Sequence, residues 1–189
     1  MYLFYYLTIV ILLVLCFRRD VSEGMLGIFS PLSNSEMDYD PSRWNTTGIQ
    51  EYNNCYAYAM NKMEWGRKRK PHPGHENNIE TTRNDFTCDK MNEYLMKDYP
   101  GVYKTDFDTP CKCNYYKAYL AVDPKNDFHL YRQDSDGHWS HKPGSLKVTN
   151  LDASKRVIVN PEHADKNYKK YNYNDSCMFF CVPSEKSCV

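Results

Sequence analysis

The run Asp127-Phe128-His129-Leu130-Tyr131-Arg132-Gln133 is followed by Asp134-Ser135-Asp136-Gly137 and then by His138-Trp139-Ser140-His141-Lys142. Two β-rich segments separated by Asp, Ser and Gly specify a hairpin, and a hairpin fixes which residues share a sheet face. A three-residue loop, Ser135-Asp136-Gly137 with Gly137 left-handed, pairs Asp134 with His138 and Tyr131 with His141. The two-residue period then puts His129, Tyr131, Gln133 and His141 on one face. A two-residue loop, Asp136-Gly137, pairs Arg132 with His141 and moves His141 to the other face. The sequence leaves both open.

Around the hairpin the chain reads as helices first and strands later. Asn53-Asn54 offers an N-cap to a helix over about 53–64. Met91, Tyr94, Leu95 and Tyr99 have helical spacing over 88–99, and Pro100-Gly101 stops that helix. Strands are expected at Tyr115 to Val122, Phe128 to Gln133, His138 to Lys142 and Ser176 to Val182, with a further one over Leu146 to Leu151. Residues 66–87 and 152–175 read as loops. This order is α+β, N-terminal helices packed on an antiparallel sheet.

Residues 2–17 are apolar apart from Thr8, and Arg18-Arg19-Asp20 ends them. No positive segment precedes the run and no small-residue cleavage pattern follows it, so an uncleaved membrane helix is favoured over a signal peptide. The arginines on its C-terminal side put the rest of the chain on the cytoplasmic face. The expected division is an anchor over 1–19, a Ser-, Pro- and Asp-rich linker and lead-in over 20–50 with Trp44 as a packing point, and one domain over 51–189. With 24 basic and 24 acidic side chains the net charge is zero, which removes the whole-chain electrostatic case for nucleic acid. The local run Arg67-Lys68-Arg69-Lys70 reads as a solvated loop.

Of eight cysteines, Cys16 lies in the apolar run. Cys55 would open the 53–64 helix, where free backbone N–H groups and the helix dipole favour thiolate. The remaining six, Cys88, Cys111, Cys113, Cys177, Cys181 and Cys188, permit three disulfides in any of about 15 pairings. Disulfides conflict with a cytoplasmic face. Zinc on Cys111-Lys112-Cys113 with Cys177 and Cys181, joined by His72 or His75, is the weaker use of the same residues, so no metal and no cofactor is expected. Asn45-Thr46-Thr47 and Asn174-Asp175-Ser176 are glycosylation sequons that matter only in a lumenal domain.

The strings Asn54-Cys55-Tyr56-Ala57-Tyr58-Ala59-Met60-Asn61, Asp127 to Gly144 and Val148-Thr149-Asn150-Leu151-Asp152 together resemble the papain-like NlpC-type thiol hydrolases. The similarity is to a branch of phage, bacterial and large-DNA-virus proteins, and it covers roughly residues 39–183. It implies Cys55 as nucleophile, His129 as base and His141 as the residue orienting that base. Tyr56, Tyr131 and Gln133 are expected near the oxyanion or substrate. The implied reaction is acyl transfer on amide bonds, with a peptide or peptidoglycan-like substrate. The alternative is a structural role as a minor capsid protein of a large DNA virus, anchored in its internal membrane and contacting neighbouring capsid proteins. Such viruses often carry a thiol oxidase, which would let disulfides form there.

Overall fold

The computed structural model describes residues 29–66 and 69–188. Five antiparallel strands form one sheet: β1 (Tyr103–Thr105), β2 (Tyr115–Asp123), β3 (Asp127–Gln133), β4 (Trp139–Ser140) and β5 (Asp175–Pro183), in the order β1-β5-β2-β3-β4. The last strand of the chain is thus inserted between the first and second. Among the described residues four α-helices precede the sheet: α1 (Pro41–Trp44), α2 (Ile49–Tyr52), α3 (Cys55–Ala59) and α4 (Cys88–Asp98). Of these four, α4 alone, at 11 residues, exceeds two turns.

Strand β2 is buried on both faces, and its two-residue period divides the core. Tyr116, Ala118, Leu120 and Val122 face α3 and α4 with Leu130 and Phe180. Tyr119 and Ala121 face the other way, against Tyr131, Trp139, Ile158, Tyr173 and Phe179. The 152–174 excursion, polar in sequence, supplies Ile158 and Tyr173 to cover that second face.

The expected long helix over 53–64 stops after five residues. Asn54 does cap it, accepting from the Tyr56 and Ala57 N–H groups at 3.2 Å each. Asn61, at φ 51°, then takes the left-handed conformation in which a helix cannot continue. The N-terminal helices therefore do not form the broad layer expected of a papain-like domain. The fold is a small antiparallel sheet with short helices, and that part of the fold reading is corrected. Among the described residues no helix is long and apolar enough to cross a membrane. The expected anchor over residues 2–17 lies outside the described residues.

From Ser30 onward the segment read as linker packs on the domain. Ser30, Ser35 and Glu36 are buried, and the Gln133 amide donates to the Ser30 carbonyl at 2.7 Å. Trp44 is buried against Tyr58, as its role as a packing point requires. Leu146 to Leu151 forms only isolated bridges, His141 with Thr149 and Leu151 with Val157.

All six domain cysteines other than Cys55 are oxidised, pairing Cys88 with Cys177, Cys111 with Cys181 and Cys113 with Cys188. This removes the zinc alternative, and the described residues contain no group of three or more metal-ligating side chains. Three disulfides are formed and kept in oxidising compartments, so the placement of this domain on a cytoplasmic membrane face is also corrected.

The hairpin takes the three-residue loop. Arg132 pairs with Ser140 and Gln133 with Trp139, and the Gly137 N–H donates to the Asp134 carbonyl at 2.9 Å. Gly137 sits at φ 87°. A side chain there would meet only ordinary contact with Phe29, at 3.5 Å, so its cost is in the backbone. Gly137→Ala is expected to lower stability by about 1–2 kcal/mol, read as a shift of the urea midpoint. An unchanged midpoint would show that the loop relaxes freely.

Candidate active site

The three-residue loop puts His129 and His141 on the same sheet face and in contact. His129 Nε2 lies 2.7 Å from His141 Nδ1, and His141 Nε2 lies 3.0 Å from the Leu151 carbonyl oxygen. A carbonyl can only accept, so His141 carries its proton on Nε2. In the neutral ring its Nδ1 is then an acceptor, which assigns the next proton to His129 Nε2. That leaves His129 Nδ1 as a lone pair with no hydrogen-bond partner among the described residues. The Leu151 carbonyl thus sets the tautomer of both rings.

Both rings are held neutral. Burial and the neighbouring His141 push the His129 imidazole well below its ordinary value. Burial takes His141 down to about 4, opposed by the Leu151 carbonyl and by Asp152. Tyrosines fix the rings from the sides. Tyr173 stacks on His129 at 4.9 Å, Tyr131 meets it edge-on at 4.9 Å, and Tyr168 lies 5.8 Å from His141. The Tyr173 hydroxyl donates to Asp127 at 2.9 Å, which pins the stacked ring.

Cys55 is the first residue of α3 and the free cysteine of the domain. Its Sγ lies 4.0 Å from the Phe128 carbonyl, one residue before His129. Strand β4 pairs β3 only at Arg132 and Gln133, so this part of the β3 edge is left open, and α3 brings the sulfur to it. Cys55, His129 and His141 all line one cavity of about 900 Å³, together with Asn54, Lys70, Asp127, Tyr168 and Tyr173.

The thiol is not activated at rest. Burial, reinforced by Asp127, pushes it up to about 12. The dipole argument fails because α3 is only five residues long and its Tyr56 and Ala57 N–H groups already bond Asn54. Burial raises the thiol and lowers the His129 imidazole, so both shifts oppose moving the proton from this sulfur to His129. The resting pair is therefore thiol and neutral imidazole, and the proton can move only as a bond to sulfur forms.

Three residues expected near the chemistry are placed otherwise. The Tyr56 side chain is buried in the core on the α4 side, donating to Asp98 at 2.7 Å. Gln133 holds Ser30. Tyr131 supports both imidazoles without lining the cavity. The sequence reading missed Asp127, Tyr168 and Tyr173. Asp127 opens the hairpin string itself, whereas the tyrosines lie in a stretch whose polarity marked it as loop.

Lys142, next to His141, is fully buried. Its ammonium donates to the carbonyls of Gln50, Asn53, Gly144 and Leu146 at 2.6–3.1 Å. It ties the segment leading into Cys55 to the strand end carrying His141, so one side chain couples the two halves of the site.

Fold and site together define a disulfide-stapled sheet domain with a buried Cys-His-His cluster opening into a cavity. No family model matches the chain, and no solved structure matches it. The chain is 32% identical over 128 residues to insoluble matrix shell protein 1 of Ruditapes philippinarum, covering 68% of this chain and 80% of that protein. It belongs to the family of that shell matrix protein.

Proposed function

We propose that the domain is a thiol acyl-transfer enzyme, a hydrolase of amide or ester bonds. One observation carries this reading: a hydrogen-bonded histidine pair whose remaining lone pair is unpartnered, in the same cavity as an unoxidised cysteine. The resemblance of the cysteine and hairpin strings to NlpC-type thiol hydrolases supports it. Cys55 Sγ attacks the substrate carbonyl carbon while its proton passes to His129 Nδ1. The oxyanion is met by the Cys55 backbone N–H, which Asn54 does not cap. The tetrahedral adduct expels the amine, which takes the proton from His129. Water then gives a proton to Nδ1 and attacks the thioester, returning the thiol. His141 holds His129 Nε2–H throughout and is a positioning residue.

A p-nitrophenyl ester is the first substrate to offer. The expected result is a burst of nitrophenol and an acyl adduct on Cys55, both lost in Cys55→Ser and cut about 10²–10⁴-fold in His129→Ala. Because the thiol rests protonated, alkylation of Cys55 should accelerate steadily from pH 7 to above pH 9 without an acid-side bell. Undiminished turnover in both variants would end the hydrolase reading.

A second reading, a structural extracellular protein on the same scaffold, is favoured by the name of the shell matrix relative and by the disulfides. It predicts no ester turnover from a fully folded, oxidised protein. The relative's insolubility would then have its counterpart here in recovery from a solid matrix.

A further inference from the structure

The rim of the active-site cavity carries charge that the acyl-transfer chemistry does not use. Lys70, Lys147, Lys155 and Lys170 line it, from three separate stretches of chain. The last three are exposed and Lys70 is half-buried. Lys70 donates to Ser145, and Lys170 lies over the Tyr171 ring at 4.9 Å. Among the described residues none of the four is in an ion pair.

Two carboxylates share the cavity. Asp152 is already answered, taking the Arg156 guanidinium at 3.0 Å and the Arg156 and Asp165 N–H groups. Asp127 takes the Tyr173 hydroxyl and the Phe128 N–H. Four lysines therefore stand against Asp127 alone, in a chain whose formal charge is zero. Charges of one sign around a concave site focus the potential and concentrate ligands of the opposite sign.

We propose that the cavity binds an acidic peptide segment, its side-chain carboxylates against Lys147, Lys155 and Lys170 and a backbone carbonyl directed toward Cys55. The concavity selects a peptide over an anionic bilayer, because the lysines surround a hollow that a flat surface cannot enter. The directed carbonyl rests on the acyl-transfer reading; the charge selection does not.

The test uses the full oxidised chain carrying Cys55→Ala, so that nothing is turned over. A fluorescent glutamate-rich peptide is compared with its glutamine isostere by anisotropy at low salt. The acidic peptide is expected to bind about tenfold tighter or better, with the gap closing as salt screens the rim. Lys147→Glu with Lys155→Glu should abolish the preference while leaving the thermal midpoint in place, since both side chains are exposed. In chains that retain Cys55, the ratio of Cys55 alkylation by iodoacetate to that by iodoacetamide should be lower in Lys147→Glu with Lys155→Glu than in the unsubstituted protein. Equal affinity for the two peptides overturns the proposal, as does tighter binding of anionic vesicles or an oligonucleotide than of the acidic peptide. Acidic preference without ester turnover removes the enzyme and keeps the binding site; turnover without preference does the reverse.

Discussion

Reduction of the three disulfides is expected to unfold this domain at 37 °C. The bridges close sequence separations of 89, 70 and 75 residues. In the chain-entropy picture each such crosslink restrains the unfolded chain by about 4 kcal/mol, though overlapping loops do not add fully. Total stabilities of about 5–15 kcal/mol are usual, so losing even half of the combined effect is decisive. The topology concentrates the effect. Cys177 and Cys181 lie in β5, and Cys188 follows it closely. This strand is the last in sequence, yet it must pair between β1 and β2. Without crosslinks it is held only by ladder bonds and by its own packing. The Cys111–Cys181 pair is buried at both ends, so Cys111→Ala with Cys181→Ala also leaves a void. That double variant should be the most damaging of the three pairwise removals, costing about 2–5 kcal/mol. Thermal melts with and without a phosphine reductant check both statements. A reduced protein melting within a few degrees of the oxidised one would show that the sheet stands by itself.

The hairpin and the existence of β2 were legible because each follows from local rules, whereas the burial of β2 on both faces was not read. Gly137 supplies the left-handed turn residue, and alternation along Tyr116 to Val122 sorts side chains between faces. The histidine pair was legible only on condition of the three-residue loop, since a two-residue loop would have sent His141 to the other face. Cys55 was set apart from six other cysteines by its place after the capping asparagines, and the pairing among those six was not readable. The insertion of β5 was hidden too, because it joins residues 53 to 78 positions apart and leaves no local mark. Strand β1 is three residues long and escaped notice. The largest misreading concerns the thiol. Capping and dipole arguments see only the helix, whereas the acidity of Cys55 is governed by burial against β3 and by Asp127. Tertiary desolvation outweighs what one short helix can supply.

Acidification from pH 7 to pH 4.5 is expected to destabilise the fold through the histidine pair. Each ring is neutral in the folded protein and takes a proton at about 6.5 once unfolded. Folded values lie below the unfolded one, at about 4 for His141 and well below 6.5 for His129. The stabilisation is therefore complete above pH 6.5 and is lost as pH falls toward the folded values, because the unfolded chain binds protons that the native state refuses. Two such groups give a slope of about 1.4 kcal/mol per pH unit at 6.5, where the unfolded rings are half protonated, and it steepens toward about 2.7 as pH falls further. Asp134 works in the opposite sense. Its buried carboxyl is held up to about 6, so from there down toward 3.8 the folded state binds a proton first and recovers part of the loss. Comparing variants isolates the histidines. His141→Gln should lose stability at pH 7, since Leu151 and His129 lose a fitted partner, yet show a shallower decline from pH 7 to 4.5 than the unsubstituted chain. Urea midpoints at the two pH values provide the measurement, and an undiminished decline in the variant would place the acid sensitivity elsewhere. The same desolvation bears on catalysis. His129 must be neutral to receive the thiol proton, and its low affinity for protons keeps it so in mild acid. The acid limb of any activity profile should then coincide with unfolding rather than with protonation of the base.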